Sequence, residues 1–176
     1  MAVSARIPDT AHMSTHCYLI ALGSNQRHVR YGTPAAIVRA VPEALETQDI
    51  AVHAIAPVYI STPVGPSQRV YANTVLLAGT DFPPPQMLTL LQQTERDFGR
   101  IRRGQRWRSR TLDLDIILWS GGRFTCTDLT IPHPHFRERG FVLDPAADIA
   151  PHWRDPVSGL KIRNLQARLK KRVGKA

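Results

Sequence analysis

The sequence has few of the residues that mark secreted, disulfide-stabilised or thiolate-metal proteins. Its 176 residues include two cysteines, Cys17 and Cys126, which provide neither a disulfide framework nor a CxxC metal site. No run approaches the ~18 consecutive apolar residues of a membrane span, and residues 1–15 lack the apolar segment of a secretory signal. The fingerprints GxxxxGK[ST] and GxGxxG are missing, which argues against a P-loop NTPase and a Rossmann dehydrogenase. We expect a cytoplasmic protein without a membrane partner.

Basic residues, by contrast, are abundant and unevenly distributed. Lysine and arginine number 23 against 14 acidic residues, for a formal net charge of +9. Such a balance attracts polyanions, including nucleic acid and nucleotide phosphates. One basic cluster, at 96–110, is all arginine, the side chain that binds phosphate through two parallel hydrogen bonds. The other, at 161–175, mixes lysine with arginine and is typical of a solvated tail.

Hydrophobic periodicity predicts one α+β domain in which the elements follow the order β-α-β-β-α-β. The predicted strands lie at 17–23, 50–60, 71–78 and 112–119, and the helices at 34–46 and from Pro83–Pro85 to Gly99. This order is typical of a ferredoxin-like sandwich, in which helices cover one face of an antiparallel sheet and leave the other face for ligands. The predicted division is a flexible leader, the domain, and a basic tail or short helix, at 1–15, 16–160 and 161–176.

Two carboxylates are the sharpest local feature. Asp113 and Asp115 are two residues apart on a predicted strand, so they share one face at a separation of roughly 6.5–7 Å. Leucines and isoleucine are expected on the opposite face, at Leu112, Leu114, Ile116 and Leu118. Paired carboxylates suit magnesium, which also binds substrate phosphates, although two acids on a solvated strand would look the same. The arginine-rich stretch just before them favours a triphosphate site.

Other polar side chains suggest a second subsite. Tyr71 and Asn73 share a strand face, where a ring beside an amide could hold a planar heterocycle; a core tyrosine with a turn asparagine is the alternative. His133 and His135 have no third ligand nearby, which favours a structural or phosphate-contacting role over zinc. Trp107 among arginines would suit base stacking, so nucleic-acid binding remains an alternative function.

Several segments together resemble the 6-hydroxymethyl-7,8-dihydropterin pyrophosphokinase family. They are LIALGSN at 19–25, STPVGP at 61–66, YAN at 71–73, ERDFGRIRRGQRWRSRTLDLDIILW at 95–119 and IPHPHFRERGFVL at 131–143. The resemblance covers about residues 17–151. It implies a ferredoxin-like, magnesium-dependent enzyme of folate biosynthesis. Such an enzyme transfers diphosphate from ATP to the pterin hydroxymethyl group and releases AMP.

The resemblance also implies roles for individual residues. Asp113 and Asp115 would hold two magnesium ions, with ATP as co-substrate, and would be catalytic together with Arg100 and Arg110. Contacts to ATP would come from Glu95, Arg102, Trp107, His133 and Arg139. The pterin subsite would contain Asn25, Thr62, Pro63, Val64, Tyr71, Asn73 and Phe141; leucine is common in the family where Val64 stands. The alternatives are a non-catalytic pterin-binding homologue and a basic nucleic-acid-binding module. We expect a monomer without a specific nucleic-acid partner.

Overall fold

The structure is a computed structural model that describes residues 14–61, 70–99 and 111–174. Its strands are β1 (His16–Ser24), β2 (Ala51–Ile55), β3 (Tyr59–Ser61), β4 (Tyr71–Thr80), β5 (Asp113–Trp119), β6 (Phe124–Cys126) and β7 (Leu129–Ile131). Its helices are α1 (Pro34–Glu46), α2 (Pro84–Asp97), α3 (Gly140–Ile149) and α4 (Ile162–Val173), and Phe136–Glu138 forms one 3-10 turn. Within the described ranges, no helix is long and apolar enough to cross a membrane.

An antiparallel sheet forms the centre of the molecule. Its strand order is β2-β4-β1-β5, and β3 pairs with β4 as well. Strand β1 is central, so that Gly23 lies opposite Asn73 on one side and Asp113 on the other. The predicted mixture of helices with an antiparallel sheet is confirmed. A short β6–β7 hairpin, which the periodicity did not predict, follows β5.

The single strand predicted at 50–60 is instead divided into β2 and β3. Residues 56–58 separate the two, and Pro57 lies in this break because proline cannot donate to a strand ladder. The Ala56 N–H still donates to the Val75 carbonyl, at 2.9 Å. Both short strands therefore remain attached to β4.

Helices α1 and α2 cover one face of the sheet, as predicted. Thr33 begins α1 as its N-cap, because its side chain accepts a hydrogen bond from the Ala36 N–H and Pro34 occupies the first turn. Pro42 lies inside α1 without ending it. The buried helix residues pack with strand residues in one cluster, which includes Ile37, Val41, Leu45, Met87, Leu91, Tyr18, Ile20, Leu22 and Leu76.

The opposite face is not left free, which corrects the expectation that helices would cover one face alone. Helices α3 and α4 build a second cluster there with Leu19, Val75 and Ile117 from the sheet. The stretch 131–151 was expected to contain a turn or short helix and then a short apolar segment. Within it, Val142, Leu143 and Ala146 recur at helical spacing and are buried in α3. The segment predicted as a basic tail or short helix forms α4, of which Ile162 and Leu165 are buried.

A register shift in the β1–β5 pair changes one predicted orientation. Leu112, Leu114 and Ile116 pack in the first cluster as expected, but Leu118 packs in the second. The shift falls between Leu19 and Ile20 of β1, so that Ile117 is the extra residue of β5. An extra residue displaces the alternation of side chains beyond it, which places Leu118 on the other face.

Candidate active site

The two carboxylates lie at the end of β5 that α3 and α4 leave uncovered. Asp113 and Asp115 are both partly exposed and occupy the same strand face, as predicted from their spacing. Across the β1–β5 pair they face Gly23 and Ala21, respectively. Glycine and alanine are too small to cover a neighbouring carboxylate. Both acids therefore keep part of their surface exposed at this end of the sheet.

Two basic side chains flank Asp115 from the segment that joins β7 to α3. His133 Nε2 lies 3.9 Å from Asp115 Oδ2, and Arg139 NH1 lies 3.8 Å from the same oxygen. The His133 N–H donates to the Ile117 carbonyl at 3.0 Å, which joins this segment to β5 beside the carboxylates. Three predicted site residues from two parts of the chain thus lie together.

His133 is held as a neutral imidazole. Burial lowers the pKa of His133 to about 4, with help from the positive charges of Arg139 and His135, although Asp113 opposes the change. Its Nδ1 accepts a hydrogen bond from the His135 N–H at 3.2 Å. A neutral ring that accepts at Nδ1 carries its hydrogen on Nε2. That hydrogen faces Asp115 and the space above it.

Glu95 supports the strand that carries the carboxylates. It lies near the end of α2 and is buried, with 2% of its surface exposed. Its Oε1 accepts a hydrogen bond at 2.9 Å from the Leu114 N–H, the backbone donor between Asp113 and Asp115. An edge-strand donor is thereby satisfied. The ATP contact implied for Glu95 stays a prediction.

The amide of Asn73 lies on β4 beside Gly23 and is 8% exposed. A Cβ atom built at Gly23 would approach Asn73 Oδ1 to 3.3 Å, so the glycine leaves the space in which this amide sits. On its other side Asn73 is paired with Tyr59 of β3, whose hydroxyl donates to Asp148 Oδ2 at 2.6 Å. The strand residue Tyr71 lies on the same alternation as Asn73.

Phe141 and Asn25 are the two other predicted pterin contacts that the structure describes. Phe141, in the first turn of α3, is 48% exposed, and the Arg139 guanidinium lies 5.8 Å from its ring centroid. Asn25 directly follows β1 and helps to line an open cavity of about 370 Å³. The other lining residues are Gln26, Arg27, Thr33, Pro34 and Val70.

The remaining predicted residues fall outside the described ranges. They are Thr62, Pro63, Val64, Arg100, Arg102, Trp107 and Arg110. Gly23 and Tyr59, which pair with Asn73 on the two neighbouring strands, were not singled out from the sequence. A glycine inside a strand often marks close approach by another group, and that was the available signal for Gly23.

Magnesium is the metal that this donor set would suit. Carboxylate oxygens on one strand face are hard ligands, and a small hard cation takes its remaining positions from phosphates and water. Among the described residues, His, Cys, Asp and Glu form no group of three or more that could enclose an ion by itself. A metal held by Asp113 and Asp115 would therefore depend on ligands from a bound phosphate chain.

Comparison with known proteins agrees with this geometry. Residues 19–151 match the family model of 7,8-dihydro-6-hydroxymethylpterin-pyrophosphokinase. The chain belongs to this family. The match includes both carboxylates, His133, Arg139 and the paired Gly23 and Asn73. Its curated relatives carry the name pyrophosphokinase, and the non-catalytic and nucleic-acid-binding alternatives are not favoured.

Individual relatives in the pyrophosphokinase family cover most of the chain. A 2-amino-4-hydroxy-6-hydroxymethyldihydropteridine pyrophosphokinase of Synechocystis sp. is 38% identical over 90% of this chain and 78% of its own length. The enzyme of that name from Pseudomonas aeruginosa is 41% identical over 78% of this chain and 82% of its own length. A solved Plasmodium falciparum HPPK-DHPS structure superposes with a TM-score of 0.69 at 12% identity. That superposition covers 91% of this chain and 42% of the other, and it supports the fold alone.

Proposed function

We propose that the chain transfers diphosphate from ATP to the hydroxymethyl group of 6-hydroxymethyl-7,8-dihydropterin and releases AMP. The observation that carries the proposal is the position of two subsites on one uncovered end of the sheet. Asp113, Asp115, His133 and Arg139 form a phosphate-type subsite, and Gly23 with Asn73 forms a polar notch beside it. A triphosphate and a small polar heterocycle could then meet above β1.

Asp113 and Asp115 would hold the magnesium in this proposal. Bound there, two ions would neutralise phosphate charge and orient the oxygens of the reacting groups. The residues fit this task because both carboxylates are partly exposed on one strand face, with the small residues Gly23 and Ala21 opposite them on β1.

Arg139 and His133 would bind the phosphate chain from the side of α3. The Arg139 guanidinium can donate two parallel hydrogen bonds to phosphate oxygens. The neutral His133 offers an Nε2–H donor at the same place, because its Nδ1 is already occupied by the His135 N–H. Both donors are supplied before the nucleotide binds, and such preorganised donors stabilise developing charge at little further cost.

Asn73 would read the polar edge of the pterin, with Tyr71 and Phe141 against its faces. An amide offers both a donor and an acceptor, which matches the alternating edge of a pterin ring. The β4 ladder and the neighbouring Gly23 fix the place of Asn73. Fixed placement of the alcohol toward the phosphorus atom is the main requirement of this kind of transfer.

We also propose that the fold is ferredoxin-like. The order β2-β4-β1-β5 and the antiparallel pairing fit a βαββαβ sandwich if β2 and β3 are counted as one divided strand. The monomeric state and cytoplasmic location expected from the sequence stay predictions.

The deciding experiment measures AMP formed from ATP with and without hydroxymethyl-dihydropterin, at several magnesium concentrations and with EDTA. We expect AMP to depend on both the pterin and the metal. Asp113→Asn and Asp115→Asn should each lower turnover by about 10²-fold or more, since they remove charge that binds the metal. Asp128→Asn, in the exposed β6–β7 turn, is the matched control. Pterin-independent AMP release, or full turnover by the Asp115 variant, would contradict the proposal.

A further inference from the structure

Asp155 is a buried carboxylate that the proposed chemistry does not use. Its side chain is fully buried, and it lies in the turn that connects α3 to α4. Both carboxylate oxygens bind the Arg137 guanidinium, at 2.7 and 2.8 Å. The backbone N–H groups of Val157 and Ser158 donate to it at 3.1 Å, and the Ser158 hydroxyl is a further donor. A buried charge with this many partners holds its neighbours in one geometry.

Arg137 lies in the middle of the segment that carries the phosphate-type subsite. Residues 133–139 run from β7 to α3 with His133 at one end and Arg139 at the other. The His133 end is bound to β5 through the Ile117 carbonyl, and the Arg139 end becomes the N-cap of α3. The 3-10 turn between them is a single turn, which offers little rigidity of its own.

Phe136 and Arg137 bind this turn to the rest of the molecule. The Phe136 ring is fully buried in the second cluster, and the Arg137 guanidinium lies 4.7 Å from its centroid. Beyond that stacking, the side-chain partner that the structure describes for Arg137 is Asp155. The loop before α4 therefore sets the position of a turn whose two ends flank Asp115.

We propose that Asp155 is a positioning residue, which acts through Arg137 to hold His133 and Arg139 in register with the carboxylates of β5. The proposal rests on the function proposed above, because it gives His133 and Arg139 their role toward the nucleotide. It makes the α3–α4 connection part of the active-site support.

The test uses variants that change the contact without emptying the site. Asp155→Asn keeps the shape but removes the charge, and Arg137→Lys keeps the charge but loses the paired hydrogen bonds. Lys170→Gln is the matched control, because Lys170 forms a 3.1 Å ion pair with Asp144 that joins α4 to α3 and includes no residue of 133–139. All are measured as full-length protein, below their unfolding temperatures, with rates expressed per folded molecule.

We expect Asp155→Asn to lower kcat about tenfold, since a misplacement of ~1 Å can cost up to ~10²-fold in rate. Arg137→Lys should retain more activity than Arg137→Met, and KM for the pterin should stay within twofold. The double variant Asp155→Asn, Arg137→Lys should be no slower than the slower single variant, because both remove one contact. In ¹³C-histidine-labelled protein without ligands, the His133 ring signal should move in Asp155→Asn and stay in Lys170→Gln.

Unchanged kcat per folded molecule in Asp155→Asn, together with an unmoved His133 signal and a lowered Tm, would overturn the inference and leave a purely stabilising ion pair. Additive losses in the double variant would overturn it as well. A wild-type chain without pterin-dependent AMP release would refute the proposed function instead. In that case the His133 ring signal in Asp155→Asn would still show whether Asp155 positions His133.

Discussion

Asp115 on β5 and Arg139 at the start of α3 bring opposite charges to within 3.8 Å of each other. Their side chains remain 39% and 33% exposed, respectively. An ion pair this open to water contributes only about 0–1 kcal/mol to stability. Arg139 is therefore available to a phosphate group at little energetic cost.

Arg139→Gln should for this reason separate activity from stability. We expect turnover to fall by about 10²-fold, the usual effect of removing one preorganised donor, while the Tm changes little. Thermal unfolding and AMP release, measured on the same preparation, check this. Arg163→Gln, on the exposed side of α4, is the control and should change neither quantity. A large loss of Tm with normal turnover would contradict the assigned role.

The notch between Gly23 and Asn73 should determine pterin affinity. Asn73→Ala should weaken pterin binding by roughly 1–3 kcal/mol, because polar edges of the ligand would be left unpaired. Gly23→Ala should weaken it too, since the new methyl group would lie 3.3 Å from Asn73 Oδ1. Calorimetric titration with pterin and, separately, with a non-hydrolysable ATP analogue would measure both effects. The affinity for the ATP analogue should be unchanged in both variants. The exposed control Asn164→Ala should change neither affinity. An equal loss of ATP affinity would mean that the subsites are misassigned.

Asp155 should make stability depend on pH in the acid range. Burial alone would raise its pKa, but hydrogen bonds from Arg137, Ser158 and the Val157 N–H outweigh burial and lower the pKa from 3.8 to about 2. A folded-state pKa below the unfolded value stabilises the protein above the unfolded pKa, and this stability is lost as the pH falls toward the folded pKa. The contribution at neutral pH is about 2 kcal/mol.

Denaturant unfolding of the wild type and Asp155→Asn, at neutral pH and near pH 3, measures this contribution. The difference in free energy of unfolding between the two should shrink by about half near pH 3, since part of the unfolded-state protonation has then occurred. The difference between wild type and the exposed variant Asp128→Asn should not change in this way. A pH-independent gap for Asp155→Asn would show that its carboxylate is not the group that titrates.

Truncation after Gln166 should destabilise the protein more than it slows the reaction. The cut removes Leu169, which packs against the second cluster, and Lys170, which binds Asp144. We expect a loss of about 1–2 kcal/mol in the free energy of unfolding, with turnover per folded molecule within a few-fold of the full chain. Truncation after Arg172, which removes the exposed Val173, is the control. A complete loss of turnover in a folded protein would contradict this expectation.

Local periodicity was sufficient to predict the sheet and the helices α1 and α2 that cover one of its faces. Helix α1 was predicted at its observed bounds because Thr33, Pro34 and a stripe of buried residues all indicate the same helix. The shared face of Asp113 and Asp115 followed from strand alternation alone. Tertiary contacts decided the rest. The extent of α3 over residues 140–149 was not predicted, because their apolar positions acquire a partner only when α4 and the sheet are in place.

The site was predicted where residues are close in sequence or match the family pattern. Asp155 was not singled out, because an isolated acid in a basic segment resembles an ordinary surface residue until Arg137 lies beside it. Leu118 was assigned to the wrong face because a one-residue irregularity in a strand pair has no signature in the hydrophobic pattern.

The division of the second sheet face between a helical layer and the active site also bears on synthesis at the ribosome. Strands β1, β4 and β5 emerge before α3 and α4, so they can pair while Leu19, Val75 and Ile117 are still bare. Chains that expose such an apolar strip are prone to aggregate until it is covered. Helices α3 and α4, which are synthesised last, would thus cover this apolar strip of the nascent chain and leave the partly exposed carboxylates beside it uncovered.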